Sequence, residues 1–338
     1  MPTLSASDLE GVFTNVGVSV ITDMYTPDAL WFLDTFEVGD IGAISSPEFG
    51  DASSNIVFGT GMDEHDLGAP ANGTTAKRGY TPQGAVRRFK KDFSIPMELL
   101  GTPAQVQRQL DIAAEFTKQQ QVWYTGKINR DVANVLNKGS LTAGDSDTFR
   151  ASYQDHDVTW DGFAYDGLPL FSNSHALRAP NGSTTTYDNY MASLTLDAAN
   201  FNTALIQQSV TNAINEAGDA IDIQTRKLLV PWALRQAGFG ILNTQNVPGS
   251  ANYNANVNAP NGQGIVDQKV VRHLTDAAAW FLVAAPEAVR VRLSNGGNLQ
   301  TRFYEDKKTN SMVYEVSAQH LVYPRDGRHL LACNTAQS

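Results

Sequence analysis

Apolar and polar positions along this chain change period several times, and the longest coherent stretch is helical. Val106, Leu110, Ala113, Tyr124, Ile128, Val132 and Val135 recur at spacings of three and four, which predicts one helix over 103–138 with a single buried stripe. Thr102 is placed to cap it, Pro103 suits its first turn, Gln105 completes a Thr-x-x-Gln capping box, and Gly139 stands where a helix stops. At 1.5 Å per residue such a rod is about 54 Å long, several times the usual helix.

Upstream, Leu9, Val12, Phe13, Val16 and Val20 lie at helical spacing behind Ser7, and Pro27–Leu33 carries Trp31 and Phe32. This arm is apolar enough to need a partner surface, either its own domain or an adjacent subunit. From Phe49 to Leu100 the composition turns to Gly, Ser, Asn, Asp, Thr and Pro, most clearly over Gly68–Gly84. A loop that long is uncommon inside a compact domain. Around it, Asn55–Phe58 and the alternation of Phe89, Phe93 and Ile95 with Arg88, Lys90, Asp92 and Ser94 predict an extended two-stranded hairpin ending at Pro96.

Downstream, strand-like pieces over Val158–Tyr165 and Leu168–Phe171 precede a helix predicted from a cap at Asp197 to Gly218, burying Phe201, Leu205, Ile206, Val210, Ile214 and Ala217. A continuous apolar strand over Lys227–Leu234, a short helix over Arg235–Leu242, an Asn-rich loop over 246–264 and buried strands over Val270–Val289 make a compact α/β unit. The end is β: Val289, Val291 and Leu293 alternate with Arg290 and Arg292, Met312–Tyr323 alternates over six pairs, and Gly296-Gly297, Lys307–Asn310 and Asp326-Gly327 are turns.

Composition narrows the function. With 338 residues the chain can bury a large core, and its net charge of −10 argues against a general binder of nucleic acid or anionic membrane. The longest apolar run, Ala277–Ala285, is too short to span a bilayer and is closed by Pro286. The single cysteine, Cys333, excludes an internal disulfide and reads as packing.

Candidate chemistry is sparse. There is no Gly-x-Ser-x-Gly elbow, no Gly-x-Gly-x-x-Gly turn, and Gly126-Lys127 lacks the rest of a phosphate loop. Asp63-Glu64-His65-Asp66 and Asp155–Asp161 offer carboxylates for a metal-assisted hydrolase, but consecutive residues converge poorly on one ion and the second run lacks a closing Glu. His175 beside Ser172 and Ser174 is adjacency without triad geometry, and His320 within an alternating strand reads as a satisfied core or interface side chain. The residues therefore point to no catalytic site, no metal and no cofactor. The one cationic cluster is Lys77 and Arg78 with Arg87, Arg88, Lys90 and Lys91, six positive charges on the hairpin of an acidic chain. With Trp31 and Phe32 they are the candidate inter-subunit contacts.

The order of elements, with Asp166–His175 (DGLPLFSNSH) and Lys227–Gln245 (KLLVPWALRQAGFGILNTQ), resembles the HK97-fold major capsid proteins of tailed bacteriophages. That resemblance implies an α+β, HK97-like capsid fold: an N-terminal arm (1–48), an extended β-hairpin E-loop (49–100), a peripheral domain (101–196) with the spine helix 103–138, an α/β axial domain (197–287), and return strands with a C-terminal strand (288–338). It implies self-assembly into hexamers and pentamers of an icosahedral shell around double-stranded DNA, without sequence-specific contact, in the host cytoplasm. The separate partners it implies are scaffolding, portal and decoration proteins. Fewer than fifty residues precede the E-loop, so scaffolding is expected from another protein. Some family members crosslink an E-loop Lys to a neighbour's Asn, and Lys77, Lys90 and Lys91 are available here. An encapsulin-type bacterial compartment is the alternative with the same fold.

Overall fold

The structure is a computed structural model and describes residues 30–41, 48–50, 56–57, 77–78, 83–139, 168–178, 184–215, 218–244, 256, 258 and 266–335. The helical segment predicted before Pro27, both acidic clusters and the strand predicted over Val158–Tyr165 lie outside these residues. Among the described residues, no helix is long and apolar enough to cross a membrane.

The chain enters through a turn at 30–36 and a short strand, β1 (Glu37–Asp40). Four small strands follow, β2 (Glu48–Gly50), β3 (Ile56–Val57), β4 (Lys77–Arg78) and β5 (Gln83–Ala85). β2 pairs antiparallel with β5 and β3 with β4, in registers one residue apart, so the four form one interrupted hairpin ladder. The stretch predicted as its second strand belongs elsewhere: β6 (Arg87–Pro96) pairs over its whole length with a late strand of the main sheet. Alternation had identified a half-exposed strand but carries no information about a partner more than two hundred residues away.

Helix α1 follows over Pro103–Asn137, one residue shorter than predicted. Thr102 is extended and its hydroxyl accepts from the backbone N–H of Gln105, satisfying one of the orphan donors of the first turn. Gly139 ends the helix by packing rather than by a left-handed turn, since a Cβ there would lie 2.5 Å from the Phe171 ring.

After α1 come β7 (His175–Arg178), β8 (Thr184–Tyr187), β9 (Tyr190–Met191), helix α2 (Ala198–Ile206) with a π turn over Gln207–Thr211, β10 (Lys227–Val230), helix α3 (Arg235–Asn243), β11 (Asp267–Val270) and β12 (Trp280–Val283). The chain closes with β13 (Val289–Leu293), β14 (Gln300–Asp306), β15 (Ser311–Pro324) and β16 (Leu330–Cys333).

Two five-stranded sheets carry the fold. In the first, β15 is central. β6 covers one of its edges over Ser311–His320, while β14 pairs with Ser311–Ser317 and β13 with His320–Pro324 on the other, so β13 and β14 act as one strand interrupted by an excursion at 294–299. β1 adds in parallel to β13. α1 lies on the inner face. The predicted alternation of β15 is largely absent from its burial, because its outer face is also covered where Leu321 and Tyr323 meet Ile41 and Val86.

The second sheet runs β11-β10-β12-β16-β9. Its apolar strands are buried on both faces: Leu229, Phe281 and Val283 join the core under α1, while Leu228, Trp280 and Leu282 pack against α2 and α3. α2 is shorter than predicted, and its buried face is Phe201, Ala204 and Gln208, leaving Ile206 and Val210 more than half exposed. Gln208 replaces an apolar residue there because its amide donates to the Leu282 carbonyl and accepts from the Thr225 hydroxyl. Cys333 is buried and free among the described residues, and burial pushes its thiol well above the ordinary range.

Candidate assembly interface

Where β6 leaves the hairpin ladder and joins the main sheet, four ionisable side chains from three elements meet under α1. The odd-numbered side chains of β6, from Arg87 to Ile95, face the helix, as the period of a strand requires. Ile128, Asp131 and Val135 share the buried stripe of α1, so Asp131 enters the core among apolar neighbours. Its carboxylate is 1% exposed and accepts from Arg87 Nη1 at 2.5 Å, Lys127 Nζ at 2.8 Å and His320 Nε2 at 2.9 Å. Burial alone would raise the Asp131 pKa. The hydrogen bond and charge of His320 and the charges of Arg87 and Lys127 outweigh it and hold the group at about 2. Burial pushes His320 the other way, below the ordinary histidine range and against the pull of Asp131, so at neutral pH it is an uncharged donor.

Aromatic packing closes the cluster. Phe89 stacks on the His320 ring with centroids 5.2 Å apart, and Tyr124 donates its hydroxyl to the Gln319 carbonyl at 2.9 Å. Burial, then the nearby Asp131 charge, keeps that phenol protonated far above its usual range. Farther along, Thr117 and Tyr314 share a hydroxyl–hydroxyl bond of 2.7 Å. Together these contacts fix the root of the hairpin to α1 and β15 by charge, stacking and hydrogen bonding at once.

Outside this rigid block the surface changes character. Among the described residues, β6 pairs only with β15, so its other edge presents unpaired backbone groups. Where β6, β15 and α1 meet, a groove of ≈ 640 Å³ is lined by Arg88, Phe89, Lys91, Trp123, Leu299 and Val316, among others. Trp123 is 48% exposed although Phe89 packs edge-on against it, and Val122 beside it is 62% exposed.

The sequence-predicted contacts divide. Arg87 is turned inward onto Asp131. Lys90 reaches out but pairs with the buried Glu315 at 2.6 Å. Arg88 and Lys91 are exposed on the edge. Lys77 and Arg78 are described only as the backbone of β4. Phe32 is fully buried in the chain's own core, and Trp31 packs beside it, donating its indole N–H to the Asn129 carbonyl at 3.1 Å. Both serve the fold of this copy: the turn at 30–36 lies on its own helix because Asn129 offers both a backbone and a side-chain acceptor. Sequence reasoning missed Asp131 and Trp123. An Asp on the apolar stripe and a Trp away from it were the available signals.

The other candidates find structural roles. His175 is buried, bonded to the Leu170 carbonyl at 3.0 Å and stacked on Tyr187. Among the described residues no group of His, Cys, Asp and Glu could hold a metal ion.

No family model matches the chain, and no curated protein matches it. The solved structures it is similar to are mostly phage capsids. One from mycobacteriophage Patience has 14% identity and a TM-score of 0.47, covering 98% of this chain and 89% of that one. The capsid of Myoviridae phage XM1 has 13% identity and a TM-score of 0.45 over 90% and 91%, and the procapsid of satellite phage P4 has 14% and 0.44 over 94% and 90%. At such identities and scores the likeness carries no weight of its own, and the functional reading rests on the geometry above.

Proposed function

We propose that this chain is the major capsid subunit of a tailed phage, a structural protein that assembles into hexamers and pentamers of an icosahedral shell around double-stranded DNA. The observation that carries this reading is the root of the hairpin. A two-stranded ladder continues into an edge strand clamped to a 35-residue helix by a buried charge cluster, with exposed apolar and cationic side chains alongside. A rigid block with an arm at one corner suits repeated contacts between identical copies, each weak alone. In this reading β2–β5 belong to the E-loop, α1 is the spine of the peripheral domain, and the second sheet with α2 and α3 is the axial domain. The net charge of −10 lets packaged DNA slide instead of sticking. Separate scaffolding, portal and decoration proteins complete the particle in the host cytoplasm. Sedimentation of the purified protein tests the reading. A fast-sedimenting, nuclease-indifferent shell fraction is expected, and monomers or small closed oligomers in every buffer would refute it.

A further inference from the structure

We propose that the corner where β10, β11 and α3 meet carries a contact for the phosphate backbone of packaged double-stranded DNA, an inference that takes its nucleic acid from the shell reading and assigns it residues. β10 and β11 run parallel and end side by side at Val230 and Val270. The chain leaves the first strand into Trp232 and Arg235, where α3 starts, and the second into Arg272. Trp232 is 52% exposed, and two guanidiniums lie over its ring, that of Arg235 at 4.4 Å and that of Arg272 at 5.3 Å from the centroid. Among the described residues no other ring holds two. A guanidinium held on an indole gives up little freedom on meeting a phosphate, and its planar fork fits the phosphate oxygens.

A third arginine reaches the same corner from α1. Asn137 fastens the loop after β11, donating its amide to the His273 carbonyl at 2.9 Å and accepting from the Thr275 N–H at 3.0 Å. Arg130 stands two turns earlier on the same side of that helix. Burial, then the charges of Arg130 and Arg272, holds His273 below the ordinary histidine range, which places both charges near the loop. None of the three arginines makes an ion pair among the described residues. The acids Asp34 and Asp267 lie toward the starts of the two strands and pair there with Lys227, Asp34 also with Lys269. In a chain of net charge −10, three arginines without counter-charges around an exposed indole complement a polyanion. Contacts to phosphate alone carry no sequence information, so the duplex stays free to shift.

Fluorescence anisotropy of a labelled duplex of arbitrary sequence, titrated with the unassembled subunit, tests this. Three phosphate contacts predict a slope of log affinity against log salt of about −2.7, or roughly a 40-fold loss between about 50 and 200 mM salt. The variant carrying Arg130→Gln, Arg235→Gln and Arg272→Gln is expected to bind roughly tenfold more weakly, or less, at the low-salt end. Arg272→Gln alone, which breaks no hydrogen bond among the described residues, is expected to lower the slope by about 1. Both variants are expected to melt and to assemble as wild type does. Wild-type subunit that binds no duplex at about 50 mM salt would overturn the inference, as would a triple variant that binds as tightly, which places the contact elsewhere. A folded variant that binds less but no longer forms shells would overturn it too, because the patch then serves contact between copies. The shell reading fails separately: wild-type protein that never assembles refutes that reading, whereas wild-type protein that assembles without binding duplex refutes this inference alone.

Discussion

Asp131→Asn removes the charge at the centre of the buried cluster while keeping its shape. Three donors converge on this carboxylate within 2.5–2.9 Å, and it is 1% exposed. Loss of one partner of a buried ion pair costs about 3–5 kcal/mol, because the remaining charge is left without compensation. Arg87 and Lys127 are 15% and 21% exposed and can swing part of the way to water, so the low end, about 3 kcal/mol, applies. With an unfolding entropy of about 2.1 cal/mol/K per residue, that lowers the melting temperature by roughly 4 °C. The pH dependence supplies a second, independent signature. The folded carboxylate titrates at about 2 against 3.8 for the free group, so its stabilisation is present above 3.8 and is lost as pH falls toward 2. At about 1.36 kcal/mol per unit that component is about 2 kcal/mol, and the Asn variant lacks it. Chemical denaturation of the unassembled subunit at pH 7 and at steps down to pH 2.5 reads both. A variant within about 1 kcal/mol of wild type at pH 7 would refute the reasoning, as would parallel loss of stability in the two proteins across the acid range.

Further expectations follow from neighbouring positions. His320 is buried with a lowered pKa, so the unfolded chain takes up its proton first and stability declines as pH falls below the ordinary histidine range. In an NMR titration its ring stays neutral through pH 6.5, and a midpoint at or above 6.5 contradicts the packing described. Gly126→Ala meets nothing within 4 Å and is expected to raise subunit stability by up to about 1 kcal/mol, checked by melting. Gly139→Ala forces a Cβ to 2.5 Å from Phe171 and to 2.9 Å from the Val135 carbonyl, so a loss of about 1–3 kcal/mol is expected in the same assay. Equal melting temperatures for these two variants would show that the end of α1 is looser than its contacts imply.

What was legible in the sequence was local. The capping residues and the three-and-four stripe determine α1 because each acts within one or two turns, and the strict alternation of β13 reports a face that meets only one environment. Partners were not legible. β6 reads identically as an arm strand or a sheet strand, since alternation states how much of a strand is buried but not by what. The placement of the cations fails for the same reason: Arg87 and Asp131 are 44 residues apart, His320 and Asp131 are 189 apart, and only the register of β6 on β15 brings them together. Period two still carried a warning, because Arg87 falls on the same face as Phe89, Phe93 and Ile95. A charge in an apolar alternation is turned inward only if a counter-charge waits there, and Asp131 on the stripe of α1 was that counter-charge.

Electron cryomicroscopy of the purified wild-type protein tests the central claim most directly. Closed icosahedral shells are expected, with α1 lying along the wall. Discrete monomers, or small closed rings that never form a shell, would contradict the account.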